Sequence, residues 1–152
     1  MAKREIAPLS PCNNAALRQA TRRLGQLYDD IMAPSGLRAT QHGMLYQIDT
    51  LNNATLRELA ASLAMDLSAL GHTLKPLQEA GLVALTPDEA DRRAKRVTLT
   101  EAGQEKLAQT TQLWRTAQTR FESAFGKQRA VELRAVMSHL ASDDFVRRFA
   151  AA

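Results

Sequence analysis

Apolar residues recur at helical spacing along most of the chain, and the breaks between these runs divide it into elements. The first run consists of Ala16, Ala20, Leu24, Leu27 and Ile31. It predicts a helix that Asn13 or Asn14 caps and that ends near Met32, before a Pro-Ser-Gly break. A second helix is expected to begin at Thr40, as its cap, and to close at Asn52. The first third of the chain is therefore expected to be helical.

The stretch from residue 55 to residue 81 has the pattern of two short helices joined by a tight turn. Thr55 and Glu58 have the spacing of a capping box at the start of the first helix. Asp66 is expected to cap the second helix and Gly81 to end it, while Pro76 should bend or loosen its middle. Two such helices predict a helix-turn-helix.

The next segments predict a hairpin and then more helix. Residues 82–86 and 96–99 are too short for anything but the strands of a small hairpin, and a charged turn joins them. Thr100 is expected to cap a long helix to about Phe125, and a last helix should run from Gly126 towards Arg148. The whole chain, 1–152, is thus expected to be one mainly α domain with a winged helix-turn-helix in residues 38–100.

The outward positions of the second short helix are candidates for contact with DNA. They are Ser68, Ala69, His72, Thr73 and Lys75. Ser, Thr and His side chains can bond to base edges or phosphates, and a small Ala can contact a thymine methyl. Thr55, at the start of the preceding helix, belongs to the same candidate set. An ordinary solvated helix face is the alternative, since this face has few cations.

The turn of the hairpin strengthens the hypothesis of DNA binding. Residues 91–96 hold four cations, of which Arg92, Arg93 and Lys95 can neutralise phosphates or enter a narrow minor groove. Asp91 is out of place on such a tip unless it orients an arginine through a charge-assisted pair. A solvated charged turn is the alternative, but a basic hairpin directly after a helix-turn-helix favours DNA.

Composition adds little to this picture but excludes several classes of protein. Twenty Lys and Arg against sixteen Asp and Glu give a formal charge of +4, which suits a polyanionic partner. A single cysteine excludes an internal disulfide framework, and the absence of an apolar leader or membrane-length segment predicts a cytoplasmic protein with no membrane partner. Three histidines at unrelated spacings, with no phosphate loop or nucleophile elbow, predict no metal site, no cofactor and no enzyme.

A family resemblance lies in the wing and the residues after it. Residues 91–103, Asp-Arg-Arg-Ala-Lys-Arg-Val-Thr-Leu-Thr-Glu-Ala-Gly, resemble the wing signature of MarR-type transcriptional regulators, Asp-x-Arg followed by a strand and Leu-Thr-x-x-Gly. The resemblance covers nearly the whole chain. It implies a homodimer, joined through helices in 1–34 and 101–152, that binds a pseudo-palindromic operator on double-stranded DNA, as a repressor.

The resemblance also assigns roles to residues of the winged helix. It places Arg93 in the minor groove with Asp91 as its partner, and Ser68, Ala69, His72 and Thr73 towards the major groove. Family members often carry Arg or Lys on the second helix where this chain has Leu67, His72 and Thr73. A degenerate winged helix that contacts protein instead of DNA is therefore a competing hypothesis.

Regulators of this family commonly release DNA when they bind a small aromatic or phenolic effector. The candidate lining residues for such a ligand are Leu24, Tyr28, His42 and Tyr46. A few members instead sense oxidants through a cysteine near the start of the first helix, and Cys12 lies close to that position. An unreactive thiol is the plainer interpretation of a single cysteine.

Overall fold

Ten elements follow one another in the part of the chain that the computed structural model describes, residues 11–152. They are α1 (Asn13–Met32), a 3₁₀ turn (Ala33–Ser35), α2 (Ala39–Leu51), α3 (Leu56–Ser62), α4 (Leu67–Glu79), β1 (Val83–Pro87), β2 (Lys95–Leu99), α5 (Glu101–Phe125), α6 (Lys127–Leu140) and α7 (Asp143–Ala151). The expected mainly α fold with a small hairpin is confirmed. Among these residues, no helix is both long and apolar enough to cross a bilayer. Residues 1–10, the start of the expected 1–34 segment, lie outside the described range.

The helix signals in the centre of the chain are confirmed. The Thr55 hydroxyl accepts from the Glu58 amide at 3.2 Å, and Glu58 Oε2 accepts from the Thr55 amide at 2.7 Å, which completes the capping box. Asp66 Oδ1 accepts from the Ala69 amide at 2.7 Å and so caps α4. Gly81, at φ 70°, ends that helix in the left-handed conformation typical of a residue that follows a helix C-cap.

The predicted caps of the first two helices are wrong. Cys12 is the N-cap of α1 and makes no side-chain cap bond, so neither Asn13 nor Asn14 caps this helix. α2 begins at Ala39, ahead of Thr40, because its first amide donates to Asp29 Oδ1 of α1 at 2.8 Å. A carboxylate from another helix thus accepts the first amide, while Gln41 Oε1 accepts from the Arg38 amide at 2.9 Å as part of a capping box.

The expected single last helix is also wrong, because it is two helices. α6 ends at Leu140, and Ser142 Oγ accepts from the Phe145 amide at 3.2 Å to cap α7. Asp143 and Asp144 occupy the first turn of α7, where carboxylates favour the helix dipole. A serine followed by two acidic residues is typical of a helix N-terminus, and a prediction made from apolar spacing alone does not use it.

One apolar core joins the helix-turn-helix to the hairpin and to α5. Its most buried side chains come from α2, α3, α4 and β2, and they include Leu45, Ile48, Leu59, Leu70, Leu77 and Val97. Burial of each such side chain contributes about 1.5–3 kcal/mol to folding. β1 and β2 pair antiparallel, with Leu85 opposite Val97, so the hairpin places a valine in this core. Gly103 of α5 lies so close to the Leu82 carbonyl that a Cβ would overlap it.

The turn between α3 and α4 holds Ala64 in the left-handed region at φ 51°. This conformation costs a residue with a Cβ about 1–2 kcal/mol. The Ala64 amide donates to the Ala61 carbonyl at 3.1 Å and the Met65 amide to the Ala60 carbonyl at 2.9 Å, so hydrogen bonds on both sides hold the turn. The tight turn of the helix-turn-helix is therefore strained.

We expect Ala64→Gly to raise the free energy of unfolding by about 0.5–1 kcal/mol, because relief of the strain exceeds the added entropy of the unfolded chain. Urea denaturation measures the change. The control is Ala61→Gly, an exposed position inside α3, which should lower the free energy of unfolding by about 1 kcal/mol. A loss of stability at both positions would contradict the account of the turn.

Candidate nucleic-acid interface

α4 is the helix with one buried face and one polar outward face. Leu70, Leu74 and Leu77 are buried. The outward residues named from the sequence share the opposite side: Ser68, His72 and Lys75 are exposed, and Ala69 and Thr73 are half-buried. The structure therefore brings these five residues together on one helix, as expected.

Two of the outward side chains already have partners within α4. The Thr73 hydroxyl donates to the Ala69 carbonyl at 3.0 Å. Lys75 Nζ lies 3.9 Å from Glu79 Oε1, an exposed pair that contributes little to stability but offsets the lysine's charge. The polar face of α4 thus offers hydrogen-bonding groups and little net positive charge.

The turn of the hairpin presents the cations named from the sequence. Arg92, Arg93 and Lys95 are exposed, and none of them forms an ion pair with another described residue. The expected side-chain pair between Asp91 and Arg93 is absent from the described contacts. Instead, Asp91 Oδ1 accepts from the Arg93 backbone amide at 2.9 Å. An aspartate commonly bonds to the amide two residues later, and that bond shapes the turn while leaving the guanidinium free.

Asp88, which sequence reasoning missed, organises the base of this turn. Its side chain is buried, with 6% exposed. Oδ1 accepts from the amides of Ala90 and Asp91, each at 2.8 Å, and Oδ2 forms an ion pair with Arg96 Nε. The amide of Asp91, ahead of that of Ala90 and the Arg96 charge, lowers the pKa of the Asp88 carboxyl. A proline followed by an aspartate at the end of a strand is typical of a turn, so Pro87 and Asp88 are the pattern from which the role of Asp88 could have been predicted.

Arg96 links the hairpin to the loop between α2 and α3. Its Nη1 donates to the Asn53 carbonyl at 2.6 Å. Beside it, the Val97 amide donates to the Ala54 carbonyl at 2.9 Å, and Thr55 forms an isolated bridge with Arg96. Thr55 therefore lies next to the base of the hairpin.

The Thr55 hydroxyl is engaged in the helix cap. It donates to Glu58 Oε2 at 2.9 Å as well as accepting from the Glu58 amide. The backbone amide bond, ahead of the hydroxyl bond, lowers the pKa of the Glu58 carboxyl and keeps it ionised as an acceptor. A DNA contact by the Thr55 hydroxyl would therefore compete with its hydrogen bonds to Glu58.

The four ligand candidates named from the sequence separate into two groups. Leu24 and Tyr28 line two adjacent cavities between α1 and α5, of about 510 and 360 Å³, the smaller of which also reaches α6. The Tyr28 hydroxyl donates to Gln118 Oε1 at 3.1 Å, and burial, with the Glu122 charge, raises the Tyr28 pKa. Tyr46 is exposed on α2 and lines neither cavity.

His42 is a core residue between α2 and α5 and also lines neither cavity. Its Nδ1 lies 2.9 Å from Thr110 Oγ1, and its ring stacks on Trp114 with centroids 6.1 Å apart. The Thr110 hydroxyl also lies 2.9 Å from the Lys106 carbonyl and 3.1 Å from the Leu107 carbonyl, so it has acceptors within its own helix. Burial lowers the pKa of His42. Its expected role as a ligand contact stays a prediction.

Cys12 is exposed at the start of α1. The structure therefore shows an accessible thiol with no hydrogen-bond partner among residues 11–152.

Comparison with solved structures identifies the family. The transcriptional regulator MosR of M. tuberculosis, solved in complex with DNA, is 34% identical to this chain at a TM-score of 0.78, and the match covers 90% of this chain and 98% of MosR. The model of the MarR family matches residues 35–94, from the 3₁₀ turn to the tip of the hairpin. The chain belongs to the MarR family.

One further solved structure shares the fold, and two curated proteins are similar in sequence. The transcriptional repressor CouR, solved bound to a 23-mer DNA duplex, shares the fold at a TM-score of 0.80 and 24% identity, over 93% of this chain and 100% of CouR. Among curated proteins, the HTH-type regulator Hpr of Exiguobacterium sibiricum is 27% identical over 77% of this chain, and YwoH of Bacillus subtilis is 29% identical over 59%. The matches span 66% and 65% of the lengths of those two relatives.

We expect the stability of the protein to fall as the pH drops below the ordinary histidine pKa of 6.5, because His42 is held neutral in the folded state. A depressed pKa in a base means that the unfolded chain binds the proton first, so the contribution is complete above that value and is lost towards the lower folded pKa. Thermal denaturation between pH 7.5 and about 5 measures this slope.

His42→Phe should flatten the slope, because it keeps a ring against Trp114 and leaves the Thr110 hydroxyl bonded to Lys106. The control is His72→Gln on the exposed face of α4, which should retain the slope of the unsubstituted protein. Equal slopes in all three proteins would contradict the role of His42.

Proposed function

We propose that this protein is a sequence-specific DNA-binding transcriptional regulator, most simply a repressor, that binds a pseudo-palindromic operator as a homodimer. The observation that carries the proposal is the pairing of an outward polar helix with a cationic hairpin tip on one core. Ser68 and His72 face outward on α4, and Arg92 and Arg93 are exposed and unpaired among the described residues. The complexes of MosR and CouR with DNA support the same use of the fold.

In this proposal, α4 and the hairpin tip have different roles in binding DNA. α4 has the size and polarity to enter the major groove, where Ser68, His72 and Thr73 can bond to base edges and Ala69 can contact a thymine methyl. The hairpin tip supplies the charge that neutralises phosphates, and Arg93 suits the negative potential of a narrow minor groove. Sequence preference therefore comes from α4 and most of the affinity from the tip.

Exposed apolar residues on the terminal helices support the homodimer. They are Leu17 and Leu27 on α1, Val131, Val136 and Met137 on α6, and Val146 and Phe149 on α7. Phe149 is 76% exposed. Apolar side chains concentrated on one set of helices mark an association surface. Segments 1–34 and 101–152 would then form the dimer and 38–100 the DNA-binding lobe, with half-sites about one helical turn apart.

The cavities beside Leu24 and Tyr28 support release by a small aromatic or phenolic effector. The larger one has Phe121 and Phe125 in its wall with Arg120 and Asp30, so it offers apolar rings, one cation and one carboxylate. It lies between α1 and α5, and α5 begins directly after the hairpin. A ligand that changed the spacing of these helices would therefore change the placement of the DNA-binding lobes.

We expect binding to DNA to weaken steeply as salt rises, because phosphate contacts release counterions. Arg93→Ala should weaken binding to every duplex and lower the salt slope by about one. His72→Ala should instead alter the preference among sequences, by about 1–3 kcal/mol at the affected base pair. A pool of random duplexes, with recovery of those bound at two salt concentrations, measures both effects, and sedimentation gives the number of chains per duplex.

Arg115→Ala, an exposed cation on α5 away from the winged helix, is the control and should leave both properties unchanged. Equal loss from Arg93→Ala and His72→Ala on every duplex would count against the division of roles. Failure to bind any duplex at low salt would favour a winged helix that contacts protein.

We expect an aromatic carboxylic acid to raise the melting temperature and to release DNA, with about 3 kcal/mol of stabilisation at a hundred times its Kd. Leu24→Trp should fill the cavity and abolish both effects while DNA is still bound. Tyr46→Phe, outside the cavity, is the control. Release by peroxide that Cys12→Ser abolishes would support the oxidant-sensing alternative.

A further inference from the structure

A two-stranded hairpin in isolation is only marginally stable, so something must fix the direction of the wing. We define the wing as residues 83–99 and its tip as Arg92 and Arg93. The tip residues are exposed and make no ion pair with the described chain. The base of the wing, in contrast, is bonded both to itself and to the loop between α2 and α3.

The first part of this base is the Asp88 carboxylate. One oxygen accepts two backbone amides of the turn, those of Ala90 and Asp91, at 2.8 Å each. The other oxygen holds Arg96 Nε on the facing strand. Asp88 therefore closes the turn on one side and anchors Arg96 on the other. Because the Asp88 carboxylate is buried, it requires partners, and Ala90, Asp91 and Arg96 supply them.

The second part of the base is a hydrogen bond from Arg96 to the loop before the helix-turn-helix. Nη1 donates to the Asn53 carbonyl at 2.6 Å, 43 residues earlier in the chain. Asn52 and Asn53 both have positive φ, 46° and 70°, a conformation that asparagine tolerates better than most residues and that shapes this loop. Because the guanidinium is planar, its Nε and Nη1 groups can hold Asp88 and Asn53 at the same time.

We infer that Asp88 and Arg96 are positioning residues for DNA binding, which lock the wing to the α2–α3 loop and so fix the tip relative to α4. This inference rests on the proposed contact between the wing and DNA. Arg96 acts through Arg92 and Arg93, because its own guanidinium is occupied by Asp88 and Asn53. Lysine at this position keeps the charge but cannot form both bonds in the same plane.

A double-mutant cycle tests the inference. Arg96→Lys should weaken DNA binding roughly tenfold in the unsubstituted protein and less than twofold when Arg92→Ala and Arg93→Ala have already removed the tip, since coupled residues are not additive. Asp88→Asn should behave in the same way. Lys95→Gln, an exposed neighbour with no described partner, is the control and should cost the same in both backgrounds. Equal losses from Arg96→Lys in both backgrounds would overturn the inference.

A measurement without DNA separates this inference from the proposed function. Spin labels at Glu89→Cys on the wing and Ser62→Cys on α3, in a Cys12→Ser protein, report the distance between the two elements. The distance distribution should be narrow in the unsubstituted protein, broaden with Arg96→Lys and stay narrow with Lys95→Gln. An unchanged distribution would contradict the positioning role even if DNA is bound. Failure of the unsubstituted protein to bind DNA would instead contradict the proposed function.

Discussion

The packing of α2, α3, α4 and the hairpin around one small core is the constraint on which the rest of the structure depends. Leu59, Leu70 and Val97 belong to three different elements, and each is nearly inaccessible to solvent. A helix that buries Leu70, Leu74 and Leu77 has no freedom to rotate, so its polar residues must face outward. The outward face of α4 is thus a consequence of the buried one. The hairpin joins the same core, which brings its base next to the helix-turn-helix.

The loops at the edge of this core are held by polar groups that are distant in sequence. Asp29 of α1 caps α2, and Arg96 of β2 bonds to the loop before α3. Lys106 of α5 donates to the Ser35 carbonyl at 3.1 Å. Each of these bonds satisfies a backbone group that would otherwise lack a partner where a helix begins or a turn closes. The Asp29 bond connects α1 to α2, the Arg96 bond connects two parts of the winged helix, and the Lys106 bond connects α5 to the 3₁₀ turn.

The sequence predicts the parts of the fold that local chemistry determines. The capping box at Thr55, the Asp66 cap and the helix end at Gly81 are satisfied by neighbours within a few residues, so their patterns are visible in the chain. The start of α2 differs from the prediction because Asp29, ten residues before Ala39, accepts the first amide of the helix. The sequence predicts one continuous last helix because apolar spacing continues through the break that Ser142 makes.

The same distinction applies to the candidate site. The outward positions on α4 and the cations on the wing follow from periodicity and composition. In the structure, α4 and the hairpin pack on the same core. The partner of Arg96 does not follow, because Asp88 and Asn53 come together only when the turn and the α2–α3 loop are both formed. Periodicity also cannot tell a buried histidine with a threonine partner, such as His42, from one that lines a cavity.

The distribution of charge is the reason that the proposed binding of DNA requires an anchored wing. α4 carries one cation on its outward face, Lys75, and Glu79 lies beside it. In the proposed complex with DNA, attraction to phosphates comes mainly from the wing, where Arg92 and Arg93 have no competing carboxylate among the described residues. A flexible wing would keep this attraction for any duplex but would not hold α4 in register with base edges. Because electrostatic attraction alone carries no sequence information, a rigid base is what couples the charge of the wing to the selectivity of α4.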